Sequence, residues 1–116
     1  MATRDYSSKQ ERAVAIYLDG KLQPNSGATG FAKGDIIAND TVIECKTKTK
    51  ESAGHNIKKE WIDTLKKECV SMGYMYWAIV FDFGTQDIKD QYAIIPLDDL
   101  YEFMELKKCY EETNRI

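Results

Sequence analysis

The sequence is poor in the residues that mark secreted or zinc-binding domains. It has three cysteines in 116 residues, at widely separated positions and without a C-x-x-C pair. An odd number of scattered cysteines indicates free or buried thiols in a reducing compartment and argues against a disulfide framework or a zinc site. There is a single histidine, His55, and no Ser, Cys or His triad is apparent. A covalent catalytic route is therefore not indicated.

Long hydrophobic runs are also missing. The longest, residues 74–81, is too short to span a membrane. The first dozen residues are polar and charged, which is not typical of a signal peptide. A chain of 116 residues can bury one core but hardly two. We therefore expect a single domain over residues 1–116, located in the cytoplasm and with no membrane partner.

The chain has no overall excess of basic residues, although such an excess is common in nucleic-acid-binding proteins. Its net charge is −3, but the charges are unevenly placed. Residues 46–67 carry seven lysines and three acids, a local net charge of +4, whereas residues 98–116 carry six acids and three basic residues, a local net charge of −3. Contacts to phosphate, if there are any, are expected in the first segment.

Residues 34–47 have the pattern of a β-hairpin. Asn39 and Asp40 separate two β-prone runs, and both residue types tolerate the left-handed backbone of a two-residue turn. Such a turn predicts four cross-strand pairs: Ala38 with Thr41, Ile37 with Val42, Ile36 with Ile43, and Asp35 with Glu44.

This register places Asp35, Glu44 and Lys46 on one face and leaves Ile36, Ile43 and Cys45 for the core. Opposed carboxylates are destabilising by up to about 1 kcal/mol, and a neighbouring lysine offsets that repulsion. Two carboxylates and a backbone carbonyl suit Mg²⁺. A bound ion lowers the pKa of its water, and a lysine can orient that water or stabilise developing charge. The alternative is an ordinary hairpin with solvated charges.

Together with their surroundings, these residues resemble the PD-(D/E)XK nuclease superfamily and, within it, the small archaeal-type Holliday junction resolvases. The resemblance covers roughly residues 6–83 and includes Glu11, Asn25-Ser26-Gly27-Ala28, Gly34-Asp35 and Glu44-Cys45-Lys46. Gly34 stands where the superfamily has proline, a position that fixes the backbone and does no chemistry.

The resemblance implies a metal site and a DNA substrate. Mg²⁺, for which Mn²⁺ is expected to substitute, would be held by Glu11, Asp35, Glu44 and the backbone carbonyl of Cys45. Lys46 would be catalytic, and Ser26 would lie near the scissile phosphate. The lysines expected to contact DNA are Lys48, Lys50, Lys58 and Lys59.

Several of these residues have a second interpretation. Glu11 could belong to a capping box that starts at Ser8, although it also shares a helical stripe with Val14 and Leu18. Ser26 could serve only as a turn residue. His55 is expected to be solvated or to cap a helix, and Trp61 to belong to the core.

The predicted fold is α/β: a restriction-endonuclease-like mixed central sheet flanked by helices, in the order helix, three strands, helix, two strands, helix. The predicted helices cover residues 8–18, a segment that starts after the N-cap Asn56 and ends near residue 72, and residues 98–110. The polar loop 47–54 is expected to be mobile. Besides the hairpin, we expect strands at residues 21–23, at 74–82 in the centre of the sheet, and at 91–95 on its edge.

The last predicted helix is apolar on two sides, so we expect both sides to be covered, one of them by a second subunit that contacts Phe103, Leu106 and Tyr110. The function predicted from these features is a magnesium-dependent, structure-selective DNA endonuclease that acts as a homodimer on four-way junctions. One alternative is another nuclease of the superfamily, such as a nickase, a restriction-type enzyme or a repair nuclease. The other is a non-catalytic nucleic-acid-binding or protein-binding module on the same fold.

Overall fold

The computed structural model describes residues 2–23 and 36–115, with side chains described from residue 9 onward. Along the described chain the elements are α1 (Ala2–Leu18), β1 (Lys21–Leu22), β2 (Ile36–Ala38), β3 (Thr41–Lys46), α2 (Lys59–Ser71), β4 (Tyr76–Phe81), β5 (Tyr92–Ile94) and α3 (Leu97–Thr113). A short 3₁₀ turn, Ile88–Asp90, precedes β5. No helix among the described residues has the length and apolar character needed to cross a membrane.

The described strands form one mixed sheet in the order β1-β2-β3-β4-β5. Only the β3–β4 pair is parallel, and α2 provides the crossover that parallel neighbours require. The other three pairs are antiparallel. The predicted α/β class, the order of elements and the edge position of β5 are confirmed, and β4 is an inner strand, although β3 and not β4 occupies the middle of the sheet.

The hairpin has the predicted register. Ala38 lies opposite Thr41, and Ile36 lies opposite Ile43. Asn39 and Asp40 have φ angles of 44° and 65°, as a two-residue turn of this kind requires. The fourth predicted pair, Asp35 with Glu44, involves a residue outside the described part of the chain.

Each face of the sheet has its own core. Val14 and Ala15 of α1 pack on one face, together with Ile36, Ile43 and Cys45. Leu65 and Cys69 of α2 pack on the other face against Val42 and Ile79. Ala78 and Val80 of β4 join the first core, so β4 is covered on both sides, as its apolar run predicts.

Two helix starts differ from the predictions. α1 begins at Ala2, so Ser8 lies within the helix and the capping-box interpretation of Ser8 and Glu11 is wrong. α2 begins at Lys59 with Lys58 as its N-cap, so Asn56 is not the cap. The chain before α2 is hydrogen-bonded to the end of β4: the Nδ1 atom of His55 lies 2.7 Å from the carbonyl oxygen of Asp82. The helix therefore starts later than its sequence pattern suggests.

The described chain buries neither side of α3, and cover by a second subunit over Phe103, Leu106 and Tyr110 stays a prediction. Every described residue of α3 except the half-buried Asp99 is exposed, including its leucines and aromatic residues. Its first half is tied to the sheet by Tyr76, whose hydroxyl donates to the Glu102 carboxylate and whose ring centroid lies 5.6 Å from that of Phe103. The hydrogen bond to Glu102 is the main cause that raises the pKa of Tyr76. Burial and neighbouring acids raise the pKa of Asp99.

The left-handed turn gives a test of the hairpin. Replacing Asn39 by alanine should lower the free energy of unfolding by about 1 kcal/mol, because alanine tolerates positive φ less well than asparagine. Asp40→Gly should be neutral or slightly stabilising, since glycine adopts positive φ without strain. Urea unfolding measures both. The matched control is Asn56→Ala, at an exposed position that lacks a positive φ; equal losses at Asn39 and Asn56 would contradict the turn assignment.

Candidate active site

Glu44 and Lys46 leave β3 on the face that α2 covers, because they alternate with Ile43 and Cys45 on the other face. The Nζ atom of Lys46 lies 3.6 Å from the Oε2 atom of Glu44. The two side chains are only 28% and 23% exposed, so water screens the pair less than it screens a surface ion pair. The structure therefore confirms that Lys46 lies beside Glu44 on one face.

Trp61 forms the wall behind this pair. The Nζ atom of Lys46 lies 4.5 Å from the centroid of its ring, and that of Lys58 lies 6.0 Å from it. An ammonium over an indole face is attracted by the ring quadrupole. Trp61 also packs against the α2-side core, as expected from sequence, but it remains half-buried. The first turn of α2 thus brings a second lysine close to Lys46.

A cavity of about 320 Å³ opens between the end of β3 and α2. Three polar residues of its lining, Glu60, Thr64 and Glu68, were not predicted from the sequence. They recur every four residues along α2, each directly before an apolar residue of the helix, and this spacing could have identified them. The described lining consists of Glu44, Lys46, Glu60, Trp61, Thr64, Leu65 and Glu68.

Helix α1 reaches the end of β3 from the opposite face. Gln10, and not Glu11, is its fully buried residue at this level, while Leu18 is exposed, so the predicted stripe of Glu11, Val14 and Leu18 is displaced around the helix. The Nε2 atom of Gln10 donates to the carbonyl oxygen of Lys46 at 2.9 Å and to the Oε1 atom of Gln91 at 2.8 Å. Glu11 is half-buried and follows directly after this contact.

The predicted metal site is only partly within the described chain, since Asp35 and Ser26 lie outside it. Among residues 9–23 and 36–115, no group of three or more His, Cys, Asp or Glu side chains is arranged to hold a metal ion. The proposed ligand set of Glu11, Asp35, Glu44 and the Cys45 carbonyl therefore stays a prediction. Within the described residues only Glu44 of this set lines the cavity.

A buried carboxylate lies at the end of β4, next to the end of β3. Asp82 has no exposed surface. Its carboxylate accepts hydrogen bonds from the Thr47 hydroxyl at 2.5 Å, the Gln91 amide at 2.7 Å and the Gly84 backbone N–H at 2.9 Å. Such bonds compensate a carboxylate for its lost water. Asp82 therefore holds the segment that directly follows Lys46.

His55 attaches the far end of the same loop. A carbonyl oxygen can only accept, so the Nδ1 atom of His55 donates to the Asp82 carbonyl. The ring also lies edge-on to Trp61 and Phe81, with centroid distances of 6.2 and 5.5 Å. The expectation of a solvated or helix-capping histidine is wrong. The polar loop is fastened to β4 at both ends.

Gly84 allows the lysine-bearing loop to pack closely. A side chain there would place its Cβ atom 2.5 Å from the Lys50 carbonyl oxygen, and the φ angle of 109° also requires glycine. The Ser52 backbone N–H donates to the Phe83 carbonyl at 2.8 Å. These contacts fix the backbone course of the loop from which the exposed Lys50 projects.

The four lysines predicted to bind DNA are not equivalent. Lys58 lies beside the cavity through Trp61, while Lys48 is half-buried and Lys50 is exposed on the loop. The Nζ atom of Lys59 lies 3.0 Å from the Oδ2 atom of Asp63, one helical turn further along α2. Lys58 is therefore better placed than Lys59 to act together with Lys46.

Comparison of the chain with models of known protein families, with curated proteins and with solved structures found no match.

The buried network at Asp82 gives a stability prediction. Asp82→Ala should lower the free energy of unfolding by about 2–4 kcal/mol, because it leaves buried donors without an acceptor. Amide exchange at Ser52 should also accelerate as the loop loosens. Urea denaturation and hydrogen exchange measure the two effects. Asp63→Ala is the control: it removes a carboxylate from an exposed pair and should cost less than about 1 kcal/mol. A loss at Asp82 no larger than that at Asp63 would contradict this role.

Proposed function

We propose that this protein is a metal-dependent phosphodiesterase, specifically a magnesium-dependent DNA endonuclease. The observation that supports the proposal most is the Glu44–Lys46 pair, which the hairpin places at the edge of a cavity. In an ordinary solvated hairpin these charges would face water. Here both side chains are largely withdrawn from it, at the face of α2.

Charge around the cavity favours cation-assisted chemistry over simple phosphate binding. The described lining carries Glu44, Glu60 and Glu68 against Lys46, an excess of two negative charges. A phosphate diester would be repelled by this lining unless a divalent cation neutralised it. Bound Mg²⁺ would supply that charge and a water of lowered pKa.

The roles of the protein groups follow from their positions. Glu44 offers a hard carboxylate oxygen at the cavity edge. Lys46, restrained between Glu44 and the Trp61 ring, would donate to the attacking water or to a non-bridging phosphate oxygen. Because the ammonium is already restrained, little side-chain entropy is lost when substrate binds.

The lysine-rich segment 46–67 is the proposed DNA-facing side. Lys58 extends the positive charge of Lys46 across the Trp61 ring, and Lys50 projects from the anchored loop. Contacts between lysines and phosphates release counterions, so binding should weaken as salt is raised. The acidic segment 98–115 would lie away from the DNA.

A Holliday junction resolvase is the specific form that we propose. Symmetric resolution requires two cuts on opposed strands, and one chain offers one site. A twofold dimer is the commonest way to supply the second site in fixed relation to the first. The proposed substrate is therefore a branched DNA, with the four-way junction as the preferred case.

The first functional prediction concerns chemistry. Glu44→Ala and Lys46→Ala should each reduce magnesium-dependent DNA cleavage by about 100-fold or more while the fold is retained, since each removes a group at the reacting phosphate. Cleavage assays and circular dichroism measure the two outcomes. Lys66→Ala, an exposed lysine on α2, is the matched control and should keep wild-type activity. If Lys46→Ala cut DNA at the wild-type rate, the role given to Lys46 would be wrong.

The second functional prediction concerns substrate. Four-way junction, linear duplex and single-stranded DNA should be compared with Mg²⁺, with Mn²⁺ and with chelator. We expect cleavage only with metal and preferentially of the junction. Equal cleavage of junction and linear DNA would leave only the broader nuclease assignment. Binding without cleavage, together with no heat of Mg²⁺ binding by calorimetry, would favour the non-catalytic module.

A further inference from the structure

Helix α3 exposes apolar side chains that a folded protein normally buries. Leu106 and Tyr110 are 58% and 70% exposed and share one face with Phe103. The contacts of Tyr76 with Glu102 and Phe103 hold only the first half of the helix. From Phe103 the helix runs on for about 15 Å at 1.5 Å per residue. Leu106 and Tyr110 therefore lie on a segment without a covering surface in the described chain.

A second exposed apolar surface lies on the α1 side of the sheet. A groove of about 410 Å³ runs between α1 and β5 and is lined mainly by apolar side chains, among them Val14, Leu18, Ile88 and Tyr92. Leu18 and Tyr92 are 41% and 52% exposed. Because β5 is the edge strand, this side of the groove is open.

The helix does not enter the groove of its own chain, since no residue of α3 belongs to the described lining. Tyr76, which holds α3, is at the start of β4, whereas the groove lies beside Val80 near the end of that strand. These positions are about 13 Å apart at 3.3 Å per residue. With α3 held at the opposite end of β4, an α3 that docks in the groove would come from a second copy of the chain.

Charge decides between two ways of pairing two copies. Residues 97–113 of α3 carry six acids and two lysines, a net charge of −4. Packing α3 against α3 would bring two such helices together. The described lining of the groove contains no carboxylate, and Lys89 is its one charged residue. The groove is therefore the better partner for an acidic, apolar helix.

The expected contact area also fits a stable dimer. A tyrosine and a leucine bury on the order of 300 Å² of their own surface. Adding the groove surface that they cover and counting both reciprocal contacts gives roughly 1,000 Å², the area that a specific interface needs. A single helix contact would reach only about half of that area.

We propose that the second half of α3 docks into the α1–β5 groove of a second copy of the chain, and that this exchange is reciprocal in a twofold dimer. Leu106 and Tyr110 enter the groove, and Leu18 and Tyr92 receive them. The proposal goes beyond the nuclease assignment and does not depend on it, because its test measures association and not cleavage.

The test uses the full-length chain in sedimentation velocity over a range of protein concentrations. The wild type should be a dimer. A helix variant, Leu106→Glu with Tyr110→Glu, and a groove variant, Leu18→Glu with Tyr92→Glu, should each be monomeric. The matched control is Ile16→Glu, which changes a more exposed apolar residue of the same α1 helix outside the groove and should remain dimeric.

Mixing the two variants separates exchange from other interfaces. The groove variant still has an intact α3, and the helix variant still has an intact groove, so an equal mixture should form a heterodimer through one contact, more weakly than the wild type. A dimeric groove variant, or a mixture that stays monomeric, would overturn the proposal. A monomeric wild type would also overturn the proposal. It would be the result if α3 packed against another part of its own chain or bound a different protein.

Two further measurements keep the proposal testable if a variant misfolds. Raising salt should strengthen an association between acidic helices but should not strengthen the exchange contact. Cys109 is exposed on α3 beside Tyr110, whereas Cys45 and Cys69 are buried. Alkylation of Cys109 in the wild type should slow as protein concentration rises. An alkylation rate that does not change with concentration, or a dimer that tightens markedly with salt, would count against docking in the groove.

Discussion

The two-residue turn at Asn39 and Asp40 determines which face of the sheet each β3 side chain enters. A slip of one residue would move Glu44 and Lys46 to the α1 face and place Ile43 and Cys45 against α2. Both faces are packed, so such a slip would bury two charged side chains in the apolar core on the α1 face. The left-handed backbone at the turn and the packing of the strand favour the same register. The cavity depends on both.

The ends of β3 and β4 are held by hydrogen bonds to polar side chains as well as by the ring contacts of Phe81. Gln10 bonds the carbonyl of Lys46, and the carboxylate of Asp82 bonds the Thr47 hydroxyl. Gln10 belongs to α1, on the face of the sheet opposite the cavity, and neither it nor Thr47 or Asp82 is in the described cavity lining. A buried network with most of its bonds made therefore fixes the backbone without closing the cavity.

The hairpin register and the inner strand β4 could be predicted because local patterns determine them: a left-handed turn pair and a continuous apolar run. The later start of α2 could not, since it follows from the long-range bond between His55 and Asp82. That Gln10 and not Glu11 is the buried residue depends on the rotation of α1 about its axis, and a stripe of three residues does not determine that rotation. The exposure of α3 was not predicted, because an apolar pattern shows that a helix face tends to be buried but not which surface buries it.

The distribution of charge links the proposed site with the proposed dimer. The basic segment follows β3, whereas the acids concentrate on α3, which leaves the sheet beyond β5. An acidic α3 repels phosphate and repels a second α3, whereas the groove proposed to receive it is apolar and has no carboxylate in its described lining. Because that groove lies on the α1 face and the cavity on the α2 face, docking would leave the cavity uncovered. In such a dimer, association and access of substrate to each site would not compete for the same surface.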